Sequence, residues 1–197
     1  FKYCKNESTC TIYEENNKKC ECLTGTSGIR CQIKITNKKE LEDEIKGYMV
    51  TRKDNVKLDS PDHISNWDVS QVKNMDKLFK YVPNFNEDIS NWDVSNVTNM
   101  KDMFFKAVKF NQSLDSWDVR NVRSMQSMFS YARSFNQPLN SWNVSSVRLM
   151  QSMFSHTKYF NQPLESWDVS NVTNMEYMFY EATSFNQSLI LWNVNIF

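Results

Sequence analysis

This chain of 197 residues has few glycines, no net charge and no long apolar run, and each of these features excludes a class of function. The three glycines, Gly25, Gly28 and Gly47, form no glycine-rich phosphate loop, which requires several clustered glycines before a helix. The 23 basic and 23 acidic residues cancel, so the chain lacks the cationic field of a nucleic-acid binder or a polybasic membrane anchor. No apolar run is long enough to cross a bilayer. We therefore expect no nucleic-acid partner and no direct membrane insertion.

Histidine is equally scarce, and this bears on catalysis. The two histidines, His63 and His156, lie far apart in the chain, and neither has a neighbouring cysteine or second histidine. Nucleophilic catalysis needs a nucleophile and a base within hydrogen-bond reach. Serines recur at regular spacings that fit turns. We therefore expect no catalytic residue, no cofactor and no enzymatic activity.

Cysteine is confined to the start of the chain. A segment this short buries too little apolar area to fold without covalent support, so a dense cysteine cluster predicts disulfides and an oxidising compartment. Zinc is the alternative, but zinc sites use closely paired ligands, whereas the cysteines here have gaps of five, nine, one and eight residues and no histidine nearby. The cysteines are Cys4, Cys10, Cys20, Cys22 and Cys31.

The segment from Cys20 to Cys31, with its Cys-x-Cys step followed by two glycines, resembles the C-terminal half of an EGF-like domain. The resemblance implies the disulfides Cys4–Cys20 and Cys22–Cys31. It also implies that Cys10 pairs with the family's first cysteine, which we expect just before residue 1. An intermolecular bond is the alternative for an unpaired cysteine.

Tryptophan occurs at intervals of 25 residues, which identifies the rest of the chain as an internal repeat. We number each unit from its tryptophan. Valine then stands at positions 3 and 6, methionine at position 9, methionine or leucine at position 12, and phenylalanine at positions 13 and 19. The tryptophans are Trp67, Trp92, Trp117, Trp142, Trp167 and Trp192.

Two apolar spacings predict the local structure of each unit. The Trp-x-Val spacing places both side chains on one side of a short strand, and the Met, Met and Phe that follow have the spacing of one helical stripe. One unit cannot bury its own apolar side, so we expect the units to stack as an α/β repeat solenoid with parallel strands. An aligned asparagine at position 20 predicts an internal ladder that bonds the turn backbone. Its members are Asn86, Asn111, Asn136, Asn161 and Asn186.

The phrase Trp-Asp-Val-Ser-Asn-Val-Thr-Asn-Met, with Met-Phe and Phe-Asn-Gln after it, resembles the BspA-like class of leucine-rich repeats over about residues 36–197. The resemblance implies a leucine-rich-repeat-like solenoid, surface display, and adhesion or host contact. Residues 36–58 look like the cap that covers the first coil, because Thr36 and Asn37 can begin a helix.

We therefore expect three parts in the chain. Residues 1–33 form the EGF-like module, residues 34–62 form the capping helix and a connector, and residues 63–197 form the BspA-like solenoid of about five and a half repeats.

Three sets of repeat residues are candidate binding sites. The aspartates at position 2 form an outward row in which either calcium bridges neighbouring carboxylates or each carboxylate bonds the backbone of a tight turn. The arginines of two adjacent units form either a solvated face or an anion site. The exposed aromatic residues are candidates for a protein interface, because tyrosine is enriched in binding hot spots. The candidates are Asp68, Asp93, Asp118 and Asp168, then Arg120, Arg123, Arg133 and Arg148, and finally Tyr81, Phe105, Tyr131, Tyr159, Tyr177 and Tyr180.

These observations predict an extracellular, cell-surface or virion-surface module for adhesion or attachment. Its partner would be a protein or glycan on a host or neighbouring surface. A structural role in a virion or surface layer is the alternative. It is favoured by Ile190 and Leu191, which replace the polar pairs of earlier units and indicate a following structure or a contact with another subunit or a coat protein.

Overall fold

The computed structural model describes residues 20–23, 30–51 and 63–194. Regular elements lie mainly before the repeats, whereas the described repeat residues form turns, extended segments and isolated parallel bridges. The elements in chain order are β1 (Cys20–Leu23), β2 (Arg30–Ile33), α1 (Lys38–Thr51) and a 3₁₀ turn (Ile64–Asn66).

Strands β1 and β2 form an antiparallel hairpin whose register places the backbone of Cys22 opposite that of Cys31. Cys4 and Cys10 lie outside the described residues, as do the side chains of the three other cysteines. The disulfides implied by the EGF-like resemblance therefore stay predictions.

Helix α1 begins after Asn37, which caps it. The Glu40 N–H donates to Asn37 Oδ1 at 3.0 Å, and the Thr36 N–H donates to the Glu40 carboxylate at 2.9 Å. The first bond satisfies a backbone donor that the first turn of a helix leaves unpaired, and the second ties the Glu40 side chain to the residue before the cap. Leu41 and Tyr48, on one face of the helix, are buried. That face joins the apolar core of the repeats.

Two contacts fasten α1 to the first repeat unit. The Tyr48 ring packs edge-on against Trp67, with centroids 5.7 Å apart. The Lys38 ammonium forms an ion pair with the Asp76 carboxylate. Burial opposes ionisation of Asp76, but the hydrogen bond and charge of Lys38 outweigh it, so the pKa of Asp76 is lowered from its usual value.

Consecutive 25-residue units are joined by a repeated set of backbone hydrogen bonds. The N–H groups at positions 9, 11, 13 and 15 of one unit donate to the carbonyls at positions 8, 10, 12 and 14 of the next. At the first junction, Met75 donates to Asn99 and Tyr81 donates to Phe105, each at 2.9 Å. Isolated parallel bridges join position 8 of adjacent units. The units therefore stack in parallel with their repeats in register.

The prediction that each unit contains one short helix and one Trp-x-Val strand is wrong for the described residues. The Met-Phe segment is a run of turns, and the parallel bridges between units fall at position 8, outside Trp-x-Val. The one parallel bridge within Trp-x-Val joins Asp68 to Lys34, which precedes the repeats. A helix would bond each N–H within its own unit. Here alternate N–H groups donate to the next unit, and groups between them close short turns, such as Lys80 N–H to the Lys77 carbonyl at 3.1 Å.

This turn geometry requires left-handed backbone at positions 11 and 15, with φ between 53° and 65°. An α-helix contains no such residues. All of the residues concerned carry a side chain, which makes the conformation costly for each of them. They are Lys77, Tyr81, Asp102, Lys106, Ser127, Tyr131, Ser152, His156, Tyr177 and Glu181.

The apolar repeat positions form continuous columns through the stack. Phe104 stacks on Phe110 of its own unit at 4.0 Å and on Phe129 of the next unit at 5.5 Å. Each later tryptophan also donates its indole N–H to the carbonyl of the residue 28 positions earlier, as Trp117 does to Ile89 at 3.1 Å. The Trp67 indole N–H has no such acceptor among the described residues, where no unit precedes it.

The predicted asparagine ladder is confirmed by its hydrogen bonds. Asn86 Oδ1 accepts the Asn111 N–H at 2.8 Å. The same bond joins Asn111 to Asn136, Asn136 to Asn161 and Asn161 to Asn186, each at 2.9 Å. The ladder is not internal as expected, because Asn86 and Asn186 are exposed and the other three are half-buried. It therefore satisfies the turn backbone along an edge of the stack that water reaches.

Candidate binding face

Positions 14 and 15 bring one aromatic ring from each of five units to the same face. These positions end the backbone ladder, so the register that pairs the units also aligns their rings. Position 15 is left-handed in every unit, and position 14 supplies the ring where position 15 carries lysine or glutamate. We call this set the aromatic row. It consists of Tyr81, Phe105, Tyr131, His156 and Tyr180.

The rings of the aromatic row touch from one unit to the next. Tyr81 and Phe105 meet edge to face at 5.4 Å, and Phe105 and Tyr131 do so at 5.8 Å. Tyr131 then stacks on His156 at 4.2 Å, and His156 meets Tyr180 edge-on at 5.4 Å. Such pairs hold each other in place. The row is therefore one ordered surface, although Tyr81 is 60% exposed and Tyr180 is 52% exposed.

Two lysines sit over the rings of the first three units. The Lys106 ammonium lies 5.4 Å from the ring centroids of Tyr81, Phe105 and Tyr131. The Lys80 ammonium lies 4.8 Å from the Phe105 centroid and pairs with the Asp102 carboxylate at 2.9 Å. Cation–π attraction holds an ammonium against an aromatic face. Lys106 therefore lies among the first three rings of the aromatic row.

A mostly apolar groove of about 430 Å³ runs beside the first three members of the row. One wall carries the tyrosines and Lys106 at position 15, and the other carries position 17 of the same units. The groove is lined by Tyr81, Pro83, Lys106, Val108, Tyr131 and Arg133.

The cations around this groove lack carboxylate partners within the described part of the chain. The ion pair of Lys80 with Asp102 is the exception. Four other cations, at positions 15, 17 and 18, form no ion pair with any described acid. The face is therefore locally positive although the whole chain is neutral. The four cations are Lys106, Lys109, Arg133 and Lys158.

The structure brings some of the predicted tyrosines together and separates another. Tyr131 and Tyr180 belong to the aromatic row, and Tyr177 extends its end by packing against Tyr180 at 5.9 Å. Tyr159 is 53% exposed, with the Lys158 ammonium 5.3 Å from its ring, and makes no ring contact with the row. His156 belongs to the row but was not predicted. The sequence could have identified His156 as a member of the row, because it occupies position 15 like two of the tyrosines.

The aspartates at position 2 close tight turns, which was one of the two explanations left open by the sequence. Asp68 accepts the Ser70 N–H at 3.0 Å, and Asp93 accepts the Ser95 N–H at 3.0 Å. The same bond occurs at Asp118 and Asp168. Hydrogen bonds from Ser170 lower the pKa of Asp168. Within the described residues, no group of three or more His, Cys, Asp or Glu side chains could hold a metal ion.

The predicted arginine neighbours are adjacent. Arg148 donates its backbone N–H to the Arg123 carbonyl at 2.9 Å, and both side chains are exposed. Arg120 pairs with Asp118 of its own turn at 2.8 Å. Arg133 is separate from them, because it lines the groove beside the aromatic row. The arginines therefore divide between two surfaces.

The last described unit leaves part of the apolar core open. Ile190 is 88% exposed and Leu191 is 71% exposed. Next to them, Met175, Phe179 and Trp192 line an open cavity of about 350 Å³. Among the described residues, this end of the stack is a second candidate surface for contact with a protein.

A family model described as "Mycoplasma protein of unknown function, DUF285" matches residues 47–158 and again residues 131–196. No curated protein and no solved structure matches the chain. None of the described helices is long and apolar enough to cross a membrane.

Proposed function

The chain belongs to the family described as Mycoplasma protein of unknown function, DUF285, and from this premise we propose that it is a surface-displayed adhesion or attachment module. It binds a protein or glycan partner through a face of its repeats. It acts outside the cell, on a cell surface or on a virion surface, and performs no catalysis.

The proposal includes the architecture of the module. We propose that the repeats are a BspA-like, leucine-rich-repeat-like solenoid, preceded by the capping helix and an EGF-like module. The 25-residue phrase and the backbone bonds between consecutive units support the solenoid. The Cys-x-Cys spacing supports the EGF-like module.

The aromatic row is the observation that carries the binding function. The rings of the core columns, such as Phe104 and Phe129, are buried, whereas Tyr81 and Tyr180 stay more than half exposed while their rings contact neighbours in the row. Exposed, ordered aromatic rings flanked by cations have the composition of a protein-interaction surface, in which tyrosine and arginine are enriched. The row also crosses five units, so a partner contacts an extended surface.

Binding of the purified chain to cell-surface protein fractions and to a glycan array tests the proposal. The test variant is Tyr81→Ala/Tyr131→Ala, which opens the row on both sides of Phe105. The matched control is Leu149→Ala, which shortens an exposed apolar side chain at position 8. We expect the double variant to lose about tenfold or more of the bound signal, since each hot-spot tyrosine contributes more than about 1 kcal/mol. Equal binding by the double variant and the control would contradict the proposal.

A structural role in a virion or surface layer is the second candidate, and the exposed apolar side chains of Ile190 and Leu191 favour it. In such an assembly another subunit or coat protein would cover these two residues. Sedimentation of the chain at increasing concentration tests this role with Ile190→Ser/Leu191→Ser as the variant. Concentration-dependent assembly that the variant abolishes would support it, and a monomer at every concentration would count against it.

A further inference from the structure

We propose that the groove beside the aromatic row binds an acidic peptide segment of a protein partner, in which aspartate or glutamate flanks an apolar side chain. This inference rests on the proposed binding function and names the chemistry of the partner.

Binding an acidic segment first requires a positive charge in a defined position, and Lys106 supplies it. Its ammonium is surrounded by the rings of Tyr81, Phe105 and Tyr131, each 5.4 Å away. The rings orient the charge but leave it unneutralised, and no described carboxylate pairs with it. An ammonium has three N–H donors, and aromatic faces do not use them as a carboxylate would. Lys106 is thus prepared for a carboxylate from a partner.

The groove supplies the second requirement, an apolar pocket next to that charge. Pro83 and Val108 form its far wall, opposite Tyr81 and Tyr131. Its volume of about 430 Å³ is within the range of ordinary ligand pockets. An apolar side chain placed between these walls leaves its neighbours in the peptide at the rim, next to the cations.

The rim supplies the third requirement, charge complementarity beyond a single contact. Arg133 lines the groove, Lys158 occupies the same repeat position as Arg133 in the next unit, and Lys109 follows the groove residue Val108. All three are exposed and unpaired by any described acid. Several cations along one groove accelerate association with an acidic segment and disfavour basic ones.

The arrangement of the rings favours a peptide over a glycan. A sugar binds an aromatic residue by stacking on an open ring face. The face of Phe105 is approached by two ammonium groups, Lys80 at 4.8 Å and Lys106 at 5.4 Å, and the ring makes edge-to-face contacts with both neighbouring tyrosines. The groove therefore offers aromatic rings, aliphatic carbon and cations, which match an apolar side chain and carboxylates.

Fluorescence anisotropy with the full 197-residue chain tests the inference. The probe is a labelled peptide, Asp-Glu-Leu-Phe-Glu-Asp, and its comparison is the same peptide with every acid replaced by its amide. We expect the acidic peptide to bind at least about tenfold more tightly, and Lys106→Met to weaken it about tenfold, as expected for one charge-assisted hydrogen bond. Lys73→Met, an exposed lysine remote from the groove, is the matched control and should leave the Kd unchanged.

Arg133→Gln provides an independent variant. We expect it to lose less affinity for the acidic peptide than Lys106→Met does, and its Kd should depend less on salt concentration than that of the wild type. No binding of the acidic peptide, equal binding of the acidic and amide peptides, or an unchanged Kd in Lys106→Met would each overturn the inference. Tighter binding of heparin than of the peptide would overturn it in favour of an acidic glycan. The proposed binding function is tested separately, by partner binding of the variant Tyr81→Ala/Tyr131→Ala. If that variant loses partner binding, the function stands even when the peptide inference fails. If that variant binds normally, the function itself fails.

Discussion

Replacing Trp67 and Trp117 with phenylalanine separates the hydrogen bond of the repeat tryptophan from its packing. Both side chains are 3% exposed, so the two substitutions remove the same atoms from equally buried sites. The indole N–H of Trp117 donates to the Ile89 carbonyl at 3.1 Å, whereas that of Trp67 has no partner among the described residues. The Ile89 carbonyl also accepts the Trp92 N–H, so it keeps one bond in the Trp117 variant.

The difference between the two variants follows from these contacts. Trp117→Phe loses one hydrogen bond, with a net value of about 1 kcal/mol. Trp67→Phe removes a buried donor that no described residue accepts, and such an unpaired donor costs about 1–3 kcal/mol in the native state. We therefore expect Trp117→Phe to be more destabilising by about 2 kcal/mol. In a chain of this size that difference separates the two Tm values by roughly 4–8 °C.

Urea unfolding followed by far-UV circular dichroism measures this difference, with equal m values as the condition for comparing the midpoints. Equal stability of the two variants, or a less stable Trp67→Phe, would refute the bonding pattern between units.

Lys77→Gly should leave the chain about 1–2 kcal/mol more stable than Lys73→Gly in urea unfolding, because Lys77 has φ of 65° and Lys73 is not left-handed, while both changes add the same freedom to the unfolded chain. Equal stabilities would contradict the left-handed turns. Asp76→Asn should remove part of the stability that the wild type loses as the pH falls below about 4. The lowered pKa of Asp76 means that its stabilisation is complete above the pKa of the unfolded chain and disappears as the pH falls through the folded pKa. Parallel stability curves for wild type and variant between pH 7 and pH 3 would exclude this contribution. Asn136→Ala should cost about 1 kcal/mol more stability than Asn186→Ala in thermal unfolding. The reason is that Asn136 Oδ1 accepts the Asn161 N–H, whereas no described residue donates to Asn186 Oδ1. Equal Tm values would argue against the ladder.

The sequence could predict which residues pair across units because the 25-residue period alone determines which residues share a position. The buried phenylalanines and the asparagine ladder follow from that alignment. It could not predict the path of the backbone within a unit. An apolar spacing of three and four residues is typical of a helix, but here it arises from turns whose alternate N–H groups donate to the next unit. Left-handed residues such as Lys77 and Ser127 give no compositional signal, because glycine is absent from these positions.

The candidate site was predicted in part for a similar reason. Tyr81, Phe105 and Tyr131 are visible as aromatic residues near one repeat position, and their contacts follow from the register. His156 is absent from the predicted aromatic residues because a histidine in a sequence suggests a catalytic base before it suggests a stacking ring. The position of Lys106 among three rings depends on its rotamer and on the left-handed backbone at position 15, and neither can be inferred from residue type.

The most direct test of the proposed binding face is covalent labelling of exposed tyrosines, read by mass spectrometry with and without a bound partner. If the aromatic row is the binding face, Tyr81 and Tyr180 should be labelled less in the complex than in the free chain. Protection confined to Ile190, Leu191 and their neighbours in a parallel carbene-footprinting measurement, with Tyr81 labelled as in the free chain, would contradict the account and place the contact at the open end of the stack.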